Sequence, residues 1–153
     1  MNPTELENWI LEKYKGIVVT NAYREHSFFY NPEYSLPKGI YFATIKESDG
    51  PNDRTSKLDR EGIYRFSIGV GKKKYQEMFG EIPKRPAKGN IVGLDLDFST
   101  LNEIMPHPIY AWMGWVCILN PDLEIIESIK NLLDISYLNC LMKYKKKVNN
   151  KVN

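Results

Sequence analysis

A long amphipathic segment near the end of the chain constrains the fold more than any other feature. The residues Asn120-Pro121-Asp122 offer an N-cap, a first-turn proline and an acidic group beside the positive end of a helix. Apolar residues then recur every three or four positions, at Ile126, Ile129, Leu133, Tyr137 and Leu141. The pattern predicts a helix that ends near Lys145. Its wide apolar face must be buried, and a sheet is a surface that can cover it.

The segments that could form this sheet precede the helix. Runs of β-branched or aromatic residues at 17–20, 26–30 and 40–45 predict three strands. The run 115–119 is apolar on both faces, as expected for a central strand covered on both sides. The clearest strand is 62–70, because only a strand places every second side chain on one face. Its two alternating sets are Tyr64, Phe66, Ile68 and Val70 against Arg65, Ser67 and Gly69.

A first helix is predicted close to the N-terminus. It begins either with Pro3 as the first helical residue or after a capping box formed by Thr4 and Glu7. Leucine, tryptophan and isoleucine side chains at helical spacing give it one apolar face. Gly16 is well placed to end it.

The remaining segments complete the fold class. Short helices are predicted at 72–79 and 98–105, whereas the long polar stretch 47–61 and the Pro/Gly-containing stretch 81–93 are predicted to be loops. The order is helix, a run of strands, then helix. We therefore expect an α+β fold with an antiparallel sheet of about five or six strands. The N-terminal helix and the long C-terminal helix pack on this sheet.

The charge is distributed unevenly along the chain. The 153 residues are enough for one domain, which we expect to span 1–145 and to be followed by a flexible basic tail at 146–153. The formal net charge is +2, but residues 1–142 carry −3 and the last eleven residues carry +5. The simpler interpretation is a solvated helix end whose lysines favour the negative end of the helix dipole. The alternative is contact with phosphates or an acidic membrane surface.

Cysteine usage and the absence of long apolar runs indicate the cellular compartment in which the protein is expected. The two cysteines, Cys117 and Cys140, are distant and form no C-x-x-C pair, so a disulfide framework is not expected. No apolar run approaches the ~20 residues that span a bilayer, so we expect no membrane insertion. The first residues lack the pattern of a signal peptide. These observations favour a cytoplasmic protein.

Motifs for metals, cofactors and nucleophiles are weak. The only histidines, His26 and His107, are not spaced as metal ligands, and the aspartates of the 47–61 loop match no EF-hand, so neither a metal nor a cofactor is expected. Glycines at 69 and 71 followed by lysines could hold an anion at a helix start, but a tight turn is the simpler interpretation. Cys117 lies mid-strand, where cysteine usually acts as a small buried hydrophobe rather than a nucleophile.

One set of polar and aromatic residues is the best candidate for a ligand site. An arginine on a sheet face can bind a carboxylate or phosphate through two hydrogen bonds, and a histidine between two prolines is held in a restricted backbone. The alternative is an Asp59–Arg65 structural ion pair, with His107 capping a turn. The candidate residues are Asp59, Arg60, Arg65, His107, Tyr110, Trp112 and Trp115.

Several blocks resemble a bacterial family filed as domain of unknown function 6194. The blocks cover nearly the whole chain: residues 28–32, 42–45, 53–60, 64–70, 79–80, 105–112 and 115–121. The C-terminal part of the sequence more distantly resembles YjbR/MmcQ proteins. It has a tryptophan-bearing strand, then an Asn-Pro pair and a helix. That second resemblance implies a CyaY-like sandwich of helices and sheet. Neither resemblance implies a catalytic residue.

These observations favour a small, non-catalytic ligand-binding or interaction module whose partner is an unknown small molecule or protein. Nucleic-acid binding through the lysine-rich tail is the alternative, although the body of the domain is acidic. A hydrolase or transferase that uses His107 with an acid has the weakest support, because no feature selects a reaction. An aromatic sheet face could also form a homodimer.

Overall fold

The computed structural model describes residues 1–152, and side chains up to residue 150. Helix α1 spans Pro3–Lys13. Its N-cap is Asn2, whose side chain accepts a hydrogen bond from the Glu5 backbone N–H, while the Glu5 carboxylate accepts from the Asn2 N–H. The capping box is therefore Asn2–Glu5 rather than the predicted Thr4–Glu7 pair. Pro3 is the first helical residue, as the other interpretation expected.

Six strands form one sheet in which every neighbouring pair is antiparallel, with the order β1-β2-β3-β4-β6-β5. This confirms the α+β class and the expected strand number. The predicted strand 62–70 is shorter, because Gly62 belongs to the preceding turn and Ile63, Tyr64 and Val70 also lie outside the strand. The strands are β1 (Ile17–Ala22), β2 (Glu25–Tyr30), β3 (Ile40–Lys46), β4 (Arg65–Gly69), β5 (Met105–Pro106) and β6 (Trp115–Leu119).

Two helices follow the sheet, α3 (Leu123–Ser128) and α4 (Lys130–Val152), and Ile129 separates them. The sequence pattern predicted one continuous helix with Asn120 as its N-cap. Asp122 is the N-cap instead, because its side chain accepts from the Ile125 N–H. The Asn120 side chain is engaged elsewhere, where it bonds the backbone of the turn before β4.

Helices α1 and α4 lie on the same face of the sheet. The Ser136 hydroxyl of α4 donates to the carbonyl of Phe42 at 2.9 Å. The Tyr14 hydroxyl, just after α1, donates to Asp134 at 2.7 Å, and its ring lies 5.1 Å from the rings of Phe42 and Tyr137. The side chains of Ile45, Phe66 and Ile118 are fully buried beneath this helical layer. Helix α4 continues to Val152, beyond the expected end at Lys145.

The second face of the sheet has a different chemistry. Pairing of the strands places polar side chains in two rows across it. The first row is Glu25, Lys46 and Arg65, and the second is Ser27, Thr44, Ser67 and Cys117. Residues 50–53, 85–90 and 107–113, which include the short 3-10 helix Ala111–Met113, lie beside this face.

Helix α2 (Lys72–Phe79) matches its predicted bounds. The predicted helix at 98–105 does not form. That segment contains turns and then enters β5, since Met105 and Pro106 pair with Cys117 and Val116. Across the described residues, no helix combines the length and the apolar character that a bilayer crossing requires.

Candidate functional site

The second face of the sheet forms the floor of a groove with a volume of about 880 Å³. Strands β2, β3, β4 and β6 supply the floor, while residues 50–53, 85–90 and 107–113 supply the walls. We call it the open-face groove. Its size lies within the range of small-molecule sites, roughly 300–1,000 Å³.

The buried pair Arg65–Asp53 is at the centre of the floor. Arg65 donates to both carboxylate oxygens of Asp53, at 2.9 and 2.6 Å, and to the Ser56 hydroxyl at 2.9 Å. Burial alone would raise the pKa of Asp53, but Arg65 outweighs it and the pKa falls to about 2. The predicted ion pair between Arg65 and Asp59 is therefore wrong, because the acidic partner of Arg65 is Asp53. The Nε–H of Arg65 is buried and has no protein partner.

His107 lies beside this pair and is 2% exposed. Its Nδ1 accepts hydrogen bonds from the backbone N–H groups of Ile109 and Tyr110, both at 3.1 Å. The ring thus caps a turn, as the alternative interpretation predicted. Burial, and then the positive charge of Arg65, lower the pKa of His107 well below its ordinary value. A neutral ring whose Nδ1 accepts carries its proton on Nε2.

Lys46 completes a set of four polar side chains that we call the floor cluster: Lys46, Asp53, Arg65 and His107. The Lys46 ammonium lies 3.3 Å from Glu25 and 3.6 Å from Asp53. All four line the open-face groove. The acidic oxygens of the floor are therefore already engaged by Lys46 and Arg65.

Aromatic rings form the walls. Tyr41 and Trp115 meet edge to face, with ring centroids 6.2 Å apart. The rings of Tyr110 and His107 are 5.1 Å apart. Cations lie over two walls, since Lys38 is 5.1 Å from the centroid of Tyr41 and the Arg85 guanidinium is 4.7 Å from that of Trp112. Such contacts hold a cation at the rim without neutralising it.

The structure brings together five of the seven predicted site residues. Arg65, His107, Tyr110, Trp112 and Trp115 all line the open-face groove. Their side chains come from two strands and the intervening loop, which the sequence separates by up to fifty positions.

Asp59 and Arg60 lie elsewhere, on a smaller groove of about 600 Å³ beside the N-terminus. Asp59 accepts the N–H of Asp49. Arg60 donates to the carbonyls of Ser56, Lys57 and Ser99. These bonds connect segments of the loops, and neither residue lines the open-face groove.

Sequence reasoning missed Lys46, Asp53, Tyr41 and the rim cation Arg85. Lys46 could have been found, because extending the predicted strand 40–45 by one residue places it on the same face as Thr44. Asp53 could not, because its approach to Arg65 depends on how the long polar loop folds back over the sheet.

Two other predicted motifs are structural. Cys117 is fully buried, and burial raises the pKa of its thiol to about 12, which disfavours the thiolate that a nucleophile requires. Gly71 starts α2 in a tight turn, and its N–H donates to the carbonyl of Gly114 at 3.0 Å. Over residues 1–152, no three histidine, cysteine, aspartate or glutamate side chains are grouped to hold a metal ion.

Comparison with known proteins gives one match. The model described as "Family of unknown function (DUF6194)" matches residues 1–149. No curated protein and no solved structure matches the chain. The more distant resemblance to YjbR/MmcQ proteins is not supported by any match. Since the match covers almost the full length, the chain belongs to the family of unknown function DUF6194.

Proposed function

We propose that this protein is a non-catalytic binding protein and that the open-face groove is its ligand site. The floor cluster is the observation that carries the proposal. Arg65 and His107 are both almost fully buried, and other protein groups fix both side chains. Arg65 keeps a buried Nε–H without a protein acceptor among the described residues, and the Nε2–H of His107 forms no hydrogen bond with any of them. A buried donor without a partner is costly, so a bound ligand or ordered water is expected to satisfy the Nε–H of Arg65.

The arrangement of His107 argues against catalysis. A general base must present an unprotonated nitrogen to the substrate. The unprotonated nitrogen of His107 is Nδ1, and two backbone N–H groups already occupy it. The nitrogen left for the groove carries the proton. A hydrolase or transferase that uses His107 therefore has little support, and the ring serves better as a fixed hydrogen-bond donor.

The experiment is a thermal-shift screen with nucleotides, sugar phosphates, amino acids, other small carboxylates and short DNA and RNA. A ligand at about 100 times its Kd stabilises the folded state by roughly 2.7 kcal/mol, a shift of several degrees at this size. We expect a small-molecule hit that Tyr110→Ala weakens, because Tyr110 is a half-exposed groove wall. Met142→Ala, a similarly exposed position on α4, is the matched control.

Two results would contradict the proposal. The first is a screen in which no small molecule shifts the melting temperature. The second is a hit that Tyr110→Ala and Met142→Ala affect equally. Stabilisation by DNA or RNA alone, lost when residues 146–153 are removed, would instead support the nucleic-acid alternative, for which salt must weaken binding steeply.

A further inference from the structure

We infer that the open-face groove takes a planar ring that carries an anionic group, either a carboxylate or a phosphate. The inference rests on the proposed function and specifies the class of ligand. Three independent features of the groove carry it: its charge, its free donors and its aromatic walls.

The charge of the groove is opposite to that of the body of the protein. Five basic and two acidic side chains line it, a net charge of +3, whereas residues 1–142 sum to −3. The groove is therefore a locally positive surface on a domain whose net charge is negative. A concave surface lined by one sign of charge attracts ligands of the opposite sign.

The acidic groups of the groove are already paired, but several cationic groups are not. Asp53 binds Arg65 and lies near Lys46, and Glu25 lies near Lys46. In contrast, Lys38, Arg85 and Lys88 are exposed at the rim, and within residues 1–152 none of them has an acidic partner at ion-pair distance. The uncompensated charge is thus positive and lies at the rim.

The unpaired polar groups on the floor are mainly donors. The Nε–H of Arg65 and the Nε2–H of His107 can only donate. The buried Ser67 hydroxyl, in the neighbouring row of the same sheet face, also lacks a partner among the described residues and can donate as well as accept. A carboxylate or phosphate offers acceptors alone, and acceptors that carry a charge form the stronger hydrogen bonds.

The walls favour a flat ligand. Tyr41, Tyr110, Trp112 and Trp115 give four aromatic rings around one groove. Lys38 and Arg85 lie over the rings of Tyr41 and Trp112. A planar ring that stacks on these walls would bring its anionic group within reach of the same cations.

The test uses matched pairs of probes on the full chain: adenosine 5′-monophosphate against adenosine, and indole-3-acetate against 3-methylindole. Inorganic phosphate and acetate supply the anion without the ring. Binding is followed by amide chemical shifts of residues 107–115 in NMR titrations. We expect each anionic ring to bind at least about tenfold more tightly than its neutral partner, and the ring-free anions to bind more weakly still.

A charge variant and its control locate the effect. The triple variant Lys38→Gln, Arg85→Gln, Lys88→Gln reduces the net charge of the groove to zero without altering a buried residue. We expect it to remove the preference for the anionic member of each pair. Lys15→Gln, Lys145→Gln, Lys146→Gln removes as many exposed charges from outside the groove and should leave the preference unchanged.

The outcomes separate this inference from the proposed function. If neutral and anionic rings bind equally well, or if inorganic phosphate binds as tightly as the nucleotide, the ligand class is wrong and the binding function stands. If no probe shifts the groove resonances up to about 10 mM, a concentration at which even weak fragments bind, the ligand class is overturned, whereas the binding function is overturned by a thermal-shift screen without a small-molecule hit. Preference for the phosphate or the carboxylate probe identifies which anion the groove accepts.

Discussion

The pKa values of the two histidines are shifted in opposite directions because their neighbours differ. His26 lies between two carboxylates, with Nδ1 2.9 Å from Glu7 and Nε2 2.6 Å from Glu47. Burial lowers its pKa, but the two hydrogen bonds outweigh burial and raise the pKa above its ordinary value. Among the described residues, His107 forms no hydrogen bond or ion pair with a carboxylate, and burial lowers its pKa. One sequence thus contains a histidine that favours the charged form and another that favours the neutral form.

The first prediction concerns His26 and the pH dependence of stability. A histidine whose pKa is raised by folding stabilises the protein fully below its unfolded pKa of about 6.5, and this stabilisation is lost as the pH rises through the folded pKa. We therefore expect His26→Gln to destabilise the protein more at pH 6 than at pH 9. Urea unfolding of the wild type and the variant at both pH values measures the difference in unfolding free energy. An equal loss of unfolding free energy at pH 6 and pH 9 would contradict the role given to His26.

The second prediction concerns the Arg65–Asp53 pair. Asp53→Asn leaves the Arg65 guanidinium buried without a counter-charge, which is expected to cost about 3 kcal/mol of unfolding free energy. Asp59→Asn, at an exposed carboxylate of the same loop, is the control and should cost less than about 1 kcal/mol. Because Asp53 titrates with a pKa of about 2, its stabilisation is complete above about pH 4 and is lost as the pH falls towards 2.

The double variant Asp53→Asn, Arg65→Met tests the cause of that loss. It removes both charges, so it should be more stable than Asp53→Asn alone. If the double variant is the less stable of the two, the unpaired charge is not the reason for the loss, and Arg65 contributes mainly through packing.

At the scale of elements, one close contact fixes how α2 sits against the loop before β6. A Cβ atom at Gly114 would lie 2.3 Å from the Gly71 carbonyl carbon, and the φ of Gly114 is +85°. Only glycine allows the two backbones to approach this closely. The turn at 111–114 also contains Trp112, which lines the groove, so this contact helps to position a wall of the candidate site.

The third prediction follows from that contact. Gly114→Ala should destabilise the protein by more than the roughly 1–2 kcal/mol that a left-handed backbone alone costs an alanine. Gly62→Ala is the control, because Gly62 also has a positive φ of +72° but nothing lies within 4 Å of its added Cβ. Chemical denaturation of both variants gives the comparison. Equal losses would show that the backbones can move apart and that the close approach is not required.

Local patterns predicted the elements well where local forces decide the structure. The alternation in β4 and the bounds of α2 and β6 follow from side-chain periodicity and glycine positions. The N-cap of α3 was misplaced because Asn120 bonds Tyr64 and Gly62, more than fifty residues away. The helix expected at 98–105 fails for a similar reason, since Met105 pairs with β6. Both errors arise from contacts that are distant in sequence.

At the scale of the whole molecule, the site depends on a division between the two faces of one sheet. The helices cover the apolar face, and the polar face is left to loops. The sequence predicted Arg65, His107 and three aromatic residues of the groove. Arg65 was identified as a charged residue on a strand face, and His107 as a titratable residue between two prolines. It could not predict Asp53, Lys46 or Arg85 as their neighbours, since their meeting depends on strand order and on loop paths.

The last prediction concerns the end of α4, where residues 146–152 continue the helix. Val148 is half-buried against the core, and the Tyr144 hydroxyl lies 2.6 Å from that of Ser35. If the domain ends at residue 145, removal of 146–153 should leave the fold intact and lower the unfolding free energy by only about 1 kcal/mol, the contribution of a partly buried valine. Thermal unfolding and an amide NMR spectrum measure both effects.

A charge variant separates the lysines of this segment from its packing. Lys145→Gln, Lys146→Gln, Lys147→Gln keeps Val148 and the helix but removes three exposed charges. It should be as stable as the wild type or slightly less so, since lysines near a helix C-terminus contribute only a few tenths of a kcal/mol each. If the truncated chain unfolds while the charge variant does not, the domain boundary at 145 is wrong and the last two turns of α4 belong to the core. If both variants fold and bind the groove ligand normally, the lysine-rich end takes no part in the function proposed for the other face of the sheet.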